Sequence, residues 1–145
     1  MRNIHLILTL LGLLTSTVAH SQLNYEFAFN KDTKVLTCEI TNASSDSLAM
    51  LQKRSPESSG SFIAYQYYDS NNEQIIVIEN LLTSISVIVF PPGMSVRYEY
   101  SLLNHQKSYT IENIHHFRTH GTIMYLNLKN KDWNNNPFEK TYQWE

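Results

Sequence analysis

Short stretches in which apolar and polar residues alternate are the feature that most constrains this chain. In the clearest stretch, Val96, Tyr98 and Tyr100 alternate with polar or charged residues, and Leu102 continues the apolar series. Successive side chains of a β-strand point to opposite faces, so a period of two predicts a strand with one buried face. Alternating or continuously apolar stretches also occupy residues 25–29, 36–40, 48–51, 62–68, 75–78, 85–90, 122–128 and 138–144.

Turn-forming residues separate these stretches. Asn30-Lys31-Asp32 predicts a tight hairpin turn, and the polar residues 69–72 predict a second hairpin. Pro91-Pro92-Gly93 predicts the end of a strand, because proline lacks the N–H that a strand ladder needs. Gly121 predicts a bulge that changes which face points inward, and Asn134-Asn135-Asn136-Pro137 predicts another turn.

The number and spacing of these stretches predict the fold class. Residues 109–120 fit either a helical face or a strand, and we favour a strand. Eight or nine short strands with no long helix indicate an all-β fold, an antiparallel sandwich or barrel, and we favour a two-sheet sandwich. A chain of this length buries a core without disulfide bonds, so residues 22–145 are expected to form a single domain.

Two segments carry a resemblance to a known architecture. They are the strand-to-loop passage Cys38-Glu39-Ile40-Thr41-Asn42 and the turn Pro92-Gly93-Met94-Ser95 before residues 96–100. With them the arrangement resembles the immunoglobulin-like sandwiches of exported bacterial proteins over residues 24–144. Antibody-type domains pair two cysteines beside a tryptophan on a central strand. This chain has one cysteine and carries both tryptophans near its end, which excludes the antibody family.

The first 21 residues have the pattern of a secretion signal. Met1-Arg2-Asn3 supplies one positive charge, and an apolar run extends from Ile4 to Leu14. That run is shorter than the roughly 20 apolar residues that a transmembrane helix needs. Ala19-His20-Ser21 places small residues before Gln22, so we predict a signal peptide over 1–21 with cleavage before Gln22. An uncleaved anchor is the alternative interpretation.

Export and residue composition together limit the partners. We expect the mature chain in the periplasm or on the surface of a Gram-negative bacterium, without stable membrane insertion after cleavage. Lysine and arginine number 11 against 13 aspartate and glutamate, and the basic residues are scattered apart from Lys53-Arg54 and the pair Lys129 and Lys131. Nucleic-acid binding needs clustered basic residues, so that function is not expected.

Cys38 is the single cysteine, so no disulfide can form within one chain. It lies between Leu36 and Ile40 on the face that the pattern predicts to be buried. We interpret it as a core thiol that behaves as a small apolar side chain. A catalytic thiolate and an intermolecular disulfide are the alternatives.

The densest group of metal-ligand residues is His115, His116 and His120. Imidazole binds zinc, copper and nickel, and in a strand His116 and His120 share a face while His115 points the other way. His105 is a possible further ligand. No acidic or thiolate residue lies in this segment, so we interpret the three mainly as surface histidines. A periplasmic metal-binding protein is the alternative function.

Aromatic residues are the other candidate binding groups. Exposed rings stack on sugars or anchor protein interfaces, which makes Trp133, Tyr67, Tyr68 and Trp144 the candidate binding residues. Tyr67 and Tyr68 are adjacent, so one of them faces away from the core if they lie in a strand. Packing of these rings in the core is the competing interpretation.

No sequence motif indicates catalysis. The chain has no glycine-rich phosphate loop, nucleophile elbow or paired cysteines, and we expect neither enzymatic activity nor a cofactor. The function predicted from the sequence is a non-catalytic exported module that binds a protein or a glycan of the cell envelope.

Overall fold

The computed structural model describes residues 22–145, and the predicted signal peptide lies outside the described residues. Within 22–145 the chain forms nine strands and one short helix. In chain order they are β1 (Leu23–Asn30), β2 (Val35–Asn42), β3 (Leu48–Leu51), β4 (Phe62–Tyr68), β5 (Gln74–Leu81), β6 (Val87–Phe90), β7 (Ser95–Ser101), α1 (Leu102–Ser108), β8 (His116–Asn127) and β9 (Trp133–Gln143). No helix in this part of the chain combines the length and apolarity needed to span a bilayer.

Sheet A consists of three antiparallel strands in the order β1-β2-β7. The hairpin between β1 and β2 forms where the sequence predicts it. The Asn30 side chain accepts hydrogen bonds from the N–H groups of Asp32 and Thr33, both at 3.0 Å. Lys34 completes the turn with a positive φ of 54°. The hydrogen bonds that Asn30 accepts within the turn therefore set the register of this hairpin.

Sheet B is organised around the long strand β8. One side of β8 pairs with β9 along nearly its whole length. The other side pairs with β4 at residues 116–122 and with β3 at 124–127, so β3 and β4 lie end to end. β5 pairs with β4, and β6 pairs with β3, so β5 and β6 form the outer edge together. The sheet is curled into a half-barrel.

Aromatic side chains fill the space between the two sheets. Phe29 of β1 packs edge-on against Phe117 of β8, with ring centroids 4.8 Å apart. Phe27 packs against Phe138 of β9 at 4.7 Å. Cys38 is fully buried among these side chains, as predicted, and burial raises the pKa of its thiol to about 12. The thiol is therefore protonated near neutral pH and packs as an apolar group.

The bulge predicted at Gly121 is wrong. Burial alternates without interruption along β8, and its pairings with β4 and β9 stay in register through Gly121. The glycine is needed for a different reason. A Cβ atom there would lie 2.2 Å from the backbone oxygen of Phe62 and 2.8 Å from the Phe138 ring. Close packing between strands, rather than a change of face, therefore explains this glycine.

The turn predicted at Asn134–Pro137 is also wrong, because these residues belong to β9. β9 is an edge strand, where proline is tolerated because its missing N–H can face solvent. The chain turns earlier, where the Asn127 side chain accepts the N–H of Lys129 at 2.9 Å and Lys131 has a φ of 64°.

The segment that precedes β8 differs from the predicted strand. α1 takes up residues 102–108, and β8 begins only at His116. Ile111 and Ile114 are buried although they lie outside regular structure. They close one end of the core as loop residues, which accounts for the ambiguous pattern of the segment.

Candidate functional site

The outer face of sheet B carries an uncovered apolar surface. Pairing registers place Val89, Ala49, Leu126 and Trp133 in one row across four strands. The next row contains Val87, Leu51 and Met124 and ends at Asn135. We call the seven apolar residues of these two rows the apolar band. Their sequence neighbours Met50, Phe90 and Tyr125 face the core, and within the band Ala49 is buried at 5% exposure.

Exposure distinguishes the apolar band from ordinary surface. Val87 is 44% exposed, Val89 49% and Trp133 54%. Three of the ten large hydrophobic residues that are exposed in the described chain belong to the apolar band, and four more lie on β5 and its connection to β6: Ile75, Val77, Leu81 and Ile85. Single exposed apolar residues are normal, whereas contiguous ones mark interaction sites. This concentration makes the outer face of sheet B the candidate functional site.

The loop between β3 and β4, residues 52–61, lies beside the apolar band. Its base is closed by backbone hydrogen bonds from Ser61 N–H to Leu51 O at 2.7 Å and from Lys53 N–H to Ser61 O at 3.0 Å. Gly60 has a φ of 147°, and a Cβ there would lie 2.4 Å from the Lys53 nitrogen. The Lys53 ammonium sits 4.7 Å from the Phe62 ring centroid and 2.7 Å from a Glu79 carboxylate oxygen. These contacts hold the loop in one position on the sheet.

Two clefts flank this loop. One, of about 250 Å³, opens towards β5 and is lined by Arg54, Pro56 and Leu81 among others. The second, of about 220 Å³, is lined by Gly60 and Thr122 and reaches Met124 in the apolar band. Both are open and shallow, which suits contact with a macromolecule better than enclosure of a small molecule.

In the other half of the same outer face, β5 carries the exposed apolar residues Ile75 and Val77, and the remaining strands carry polar side chains. The polar side chains come from β4, the first half of β8 and the end of β9. They are Gln66, Tyr68, His116, Arg118, His120 and Glu139, which we call the polar half. Arg118 Nε donates to Gln66 Oε1 at 2.7 Å, and its Nη1 lies 3.5 Å from Glu139 Oε1. Arg118, Gln66 and Glu139 therefore satisfy one another within the sheet, whereas His120 Nδ1 is buried without a hydrogen-bond partner in the described structure.

The predicted metal ligands do not converge. His116 and His120 share the outer face of β8, as the alternation predicts. Four residues along a strand span about 13 Å, and Arg118 lies between the two histidines. The ring of His115 is 5.7 Å from that of His116, but His115 precedes the strand. Among residues 22–145, no group of three ligand-type side chains is placed to hold a metal ion.

His105 lies elsewhere, on the inner side of β4. Its Nδ1 is 2.8 Å from the Tyr67 hydroxyl and its Nε2 is 2.8 Å from the Asn80 amide nitrogen. The Tyr65 ring packs edge-on against it at 4.9 Å. Burial among these groups lowers the pKa of His105. Both ring nitrogens are engaged by the protein, so His105 supports the packing of α1 and is not free to bind a metal ion.

The four candidate aromatic residues have different positions. Tyr67 is fully buried and Trp144 is 4% exposed, so both rings pack in the core and present no surface to a ligand. Tyr68 faces outward and stacks on His116, with centroids 4.8 Å apart and planes 3° apart. Trp133 is exposed and ends one row of the apolar band.

The aliphatic members of the apolar band were not among the residues predicted from the sequence. A signal for them exists in β3 and β6, which read LAML and VIVF. These runs are apolar on both faces, although Val87 and Val89 on the outer face of β6 are about half exposed. A strand without alternation is ordinarily buried on both sides.

Comparison with known proteins identifies no family for this chain. No protein-family model and no curated protein matches this chain. Among solved structures it is similar to a Northeast Structural Genomics Consortium target, with 12% identity, a TM-score of 0.45 and 81% of each chain covered. It is also similar to the putative ApaA protein from Bordetella pertussis, with 11% identity, a TM-score of 0.46, and coverage of 82% of this chain and 87% of that one. These likenesses concern general β architecture.

Proposed function

We propose that this protein is an exported, non-catalytic module that binds another protein of the cell envelope through the apolar band. The observation that carries the proposal is an uncharged surface four strands wide, with Val87, Val89 and Trp133 about half exposed. Burial of apolar area is the main source of affinity in protein association. The band therefore suits a partner that presents an apolar, uncharged surface.

A protein fits this surface better than a glycan. Sugar recognition combines stacking on aromatic rings with hydrogen bonds to hydroxyl groups. The apolar band contains one ring, that of Trp133, and its other members are aliphatic or methionine side chains without donors. Such side chains contribute area to a protein interface and leave sugar hydroxyls unsatisfied.

The size of the surface favours a modest interface. Four strands span about 15 Å across the hydrogen-bonding direction. A standard interface buries roughly 800 Å² on each partner, more than two rows of side chains provide. Loop 52–61 and its clefts, which border Met124, extend the contact area. We therefore expect a reversible complex that includes this loop.

We also propose that the domain is a variant of the immunoglobulin-like sandwich. If the end-to-end pairs β3/β4 and β5/β6 each count as one strand, the chain has seven strands. The first, second and fifth then share sheet A, and the third, fourth, sixth and seventh share sheet B. In immunoglobulin constant domains the fourth strand lies in the other sheet, and the remaining assignment is the same.

Export is part of the same proposal and has a simple test. Cell fractionation followed by N-terminal sequencing should give a mature chain that begins at Gln22 in the envelope fraction. A full-length chain in the cytoplasm would contradict export.

Site-specific photocrosslinking tests binding through the apolar band. A crosslinking residue at position 89 or 126 in living cells should trap a distinct protein partner. The same residue at position 97, on the outer face of sheet A, is the matched control and should not trap it. Leu126→Lys should abolish the product obtained from position 89. Equal products from positions 89 and 97, or a glycan ligand lost on Trp133→Ala, would refute the proposal.

A further inference from the structure

The edge of sheet B formed by β5 and β6 is open. Pairing within residues 22–145 ends at these two strands on this side of the sheet. An edge strand directs alternate backbone N–H and C=O groups away from the sheet, where they can pair with another strand. In addition, Ile75, Val77, Leu81 and Ile85 lie along this edge with exposures between 39% and 57%. Both the backbone and the side chains are therefore suited to another strand.

The charge pattern of this edge differs from that of the opposite edge of sheet B, which is formed by β9. Residues 74–90 contain one charged residue, Glu79, and no proline. Glu79 is already paired with Lys53 at 2.7 Å. By contrast, β9 carries Pro137, Glu139 and Lys140, devices that protect edges against strand pairing. The β5–β6 edge has no comparable protection.

Strand direction makes this edge complementary to itself. β3 and β4 both run antiparallel to β8, so β5 and β6 run in one common direction along the edge. A two-fold axis perpendicular to the sheet then sets the edge of one molecule antiparallel to the same edge of another. Residues close to such an axis meet their own copies, so like charges would oppose each other there on a charged edge. Here it opposes apolar residues.

We propose that two copies of this chain associate through their β5–β6 edges, which joins the two B sheets into one continuous antiparallel sheet. The inference goes beyond the proposed function, because it concerns an edge and not the outer face. Pairing would place the two apolar bands on one side of a doubled sheet. Single-strand pairing buries less than a standard interface, so the dimer should be reversible and dependent on concentration.

Sedimentation analysis of the purified protein tests this association. Over a hundredfold range of concentration the average mass should rise from one chain towards two. Val77→Lys puts a charged side chain on the apolar edge of both copies and should raise the dissociation constant of the dimer by about tenfold or more. Thr141→Lys on the opposite edge strand β9 is the matched control and should leave the constant unchanged. A monomer over the whole range, or equal effects of both variants, would refute the dimer.

Hydrogen exchange identifies the paired surface without a variant. Amides of β5 and β6 should exchange more slowly as concentration rises, while those of β9 should not change. A dimer without this added protection, or one dissociated by Leu126→Lys in place of Val77→Lys, would mean that copies meet through another surface and would overturn the inference. Crosslinking at the apolar band can succeed or fail independently, so the two proposals are judged separately.

Discussion

The outer face of sheet B has two halves built on the same strand, and they differ sharply. In the first half of β8 the outward positions are His116, Arg118 and His120, whereas in the second half they are Met124 and Leu126. The inward positions are buried along the whole strand, from Phe117 to Tyr125. The core therefore requires the same inner pattern in both halves and does not explain the difference outside. We infer that the polar half faces water, and that the apolar band is kept for contact with a partner.

The largest expected effects test whether the inner face is equally important beneath both halves. Phe117→Ala beneath the polar half and Phe90→Ala beneath the apolar band should each lower the free energy of unfolding by about 3–5 kcal/mol. Both rings are fully buried, so each substitution leaves a cavity. Urea denaturation monitored by circular dichroism measures the change. A small effect at only one of the two positions would mean that the halves also differ inside.

A smaller effect is expected at Gly121, near the boundary of the two halves. Gly121→Ala should cost about 1–3 kcal/mol, because the added methyl group collides with the Phe62 backbone and the Phe138 ring. Gly93→Ala is the contrasting variant, since a Cβ there meets nothing within 4 Å and the cost arises from its φ of 78° alone. Thermal unfolding compares the two. If Gly121→Ala is neutral, the packing around Gly121 is not rigid.

Substitutions on the outer face should separate stability from binding. Gln66→Ala removes the acceptor of Arg118. It should lower the free energy of unfolding by less than about 1 kcal/mol, because the guanidinium is partly exposed to solvent. Val89→Thr in the apolar band should change stability by less than about 0.5 kcal/mol. Denaturation and crosslinking yield are measured on both variants. The comparison fails if Val89→Thr destabilises the fold or if Gln66→Ala reduces crosslinking from the band.

The smallest expected effect is a pH dependence beneath the polar half. His105 has a lowered pKa in the folded chain, while in the unfolded chain it returns to its ordinary value of 6.5. Its contribution is thus complete above about pH 6.5 and is lost as pH falls through the lower folded pKa. Mild acid should therefore loosen the contacts of α1 with β4 and β5 before those of β3 and β6. Hydrogen exchange measures this as faster exchange of the amides around α1. In His105→Gln, which has no titrating ring, this difference in exchange between the α1 contacts and the β3 and β6 contacts should disappear.

Much of the fold was predictable because alternation reports directly on burial. Residues 96–100, the β1–β2 hairpin and the β4–β5 hairpin all form as predicted. The errors concern residues whose type is compatible with more than one structural role. Gly121 is explained by close packing and not by a bulge, and Pro137 is tolerated by an edge strand. Neither outcome can be read from local sequence, because both depend on which strands become neighbours.

The candidate site was less predictable for the same reason. Trp133 was among the predicted binding residues and is exposed, while Tyr67 and Trp144 pack in the core. The apolar band combines residues from β3, β6, β8 and β9, which are far apart in the chain. No local sequence motif predicts a surface that is assembled from such distant segments. Only the registers of three strand pairs bring Val89, Leu126 and Trp133 into one row.

The interruption between β3 and β4 has a consequence for how such a protein can change. β3 ends its pairing at Met124, and β4 resumes at Thr122, so a single position of β8 separates them. The whole of loop 52–61 leaves and rejoins the sheet within that one step. Lengthening a loop adds only a small closure entropy. Residues 54–59, beyond the packed base of the loop, can therefore change in length and type, which would alter the recognised partner while the underlying framework stays the same.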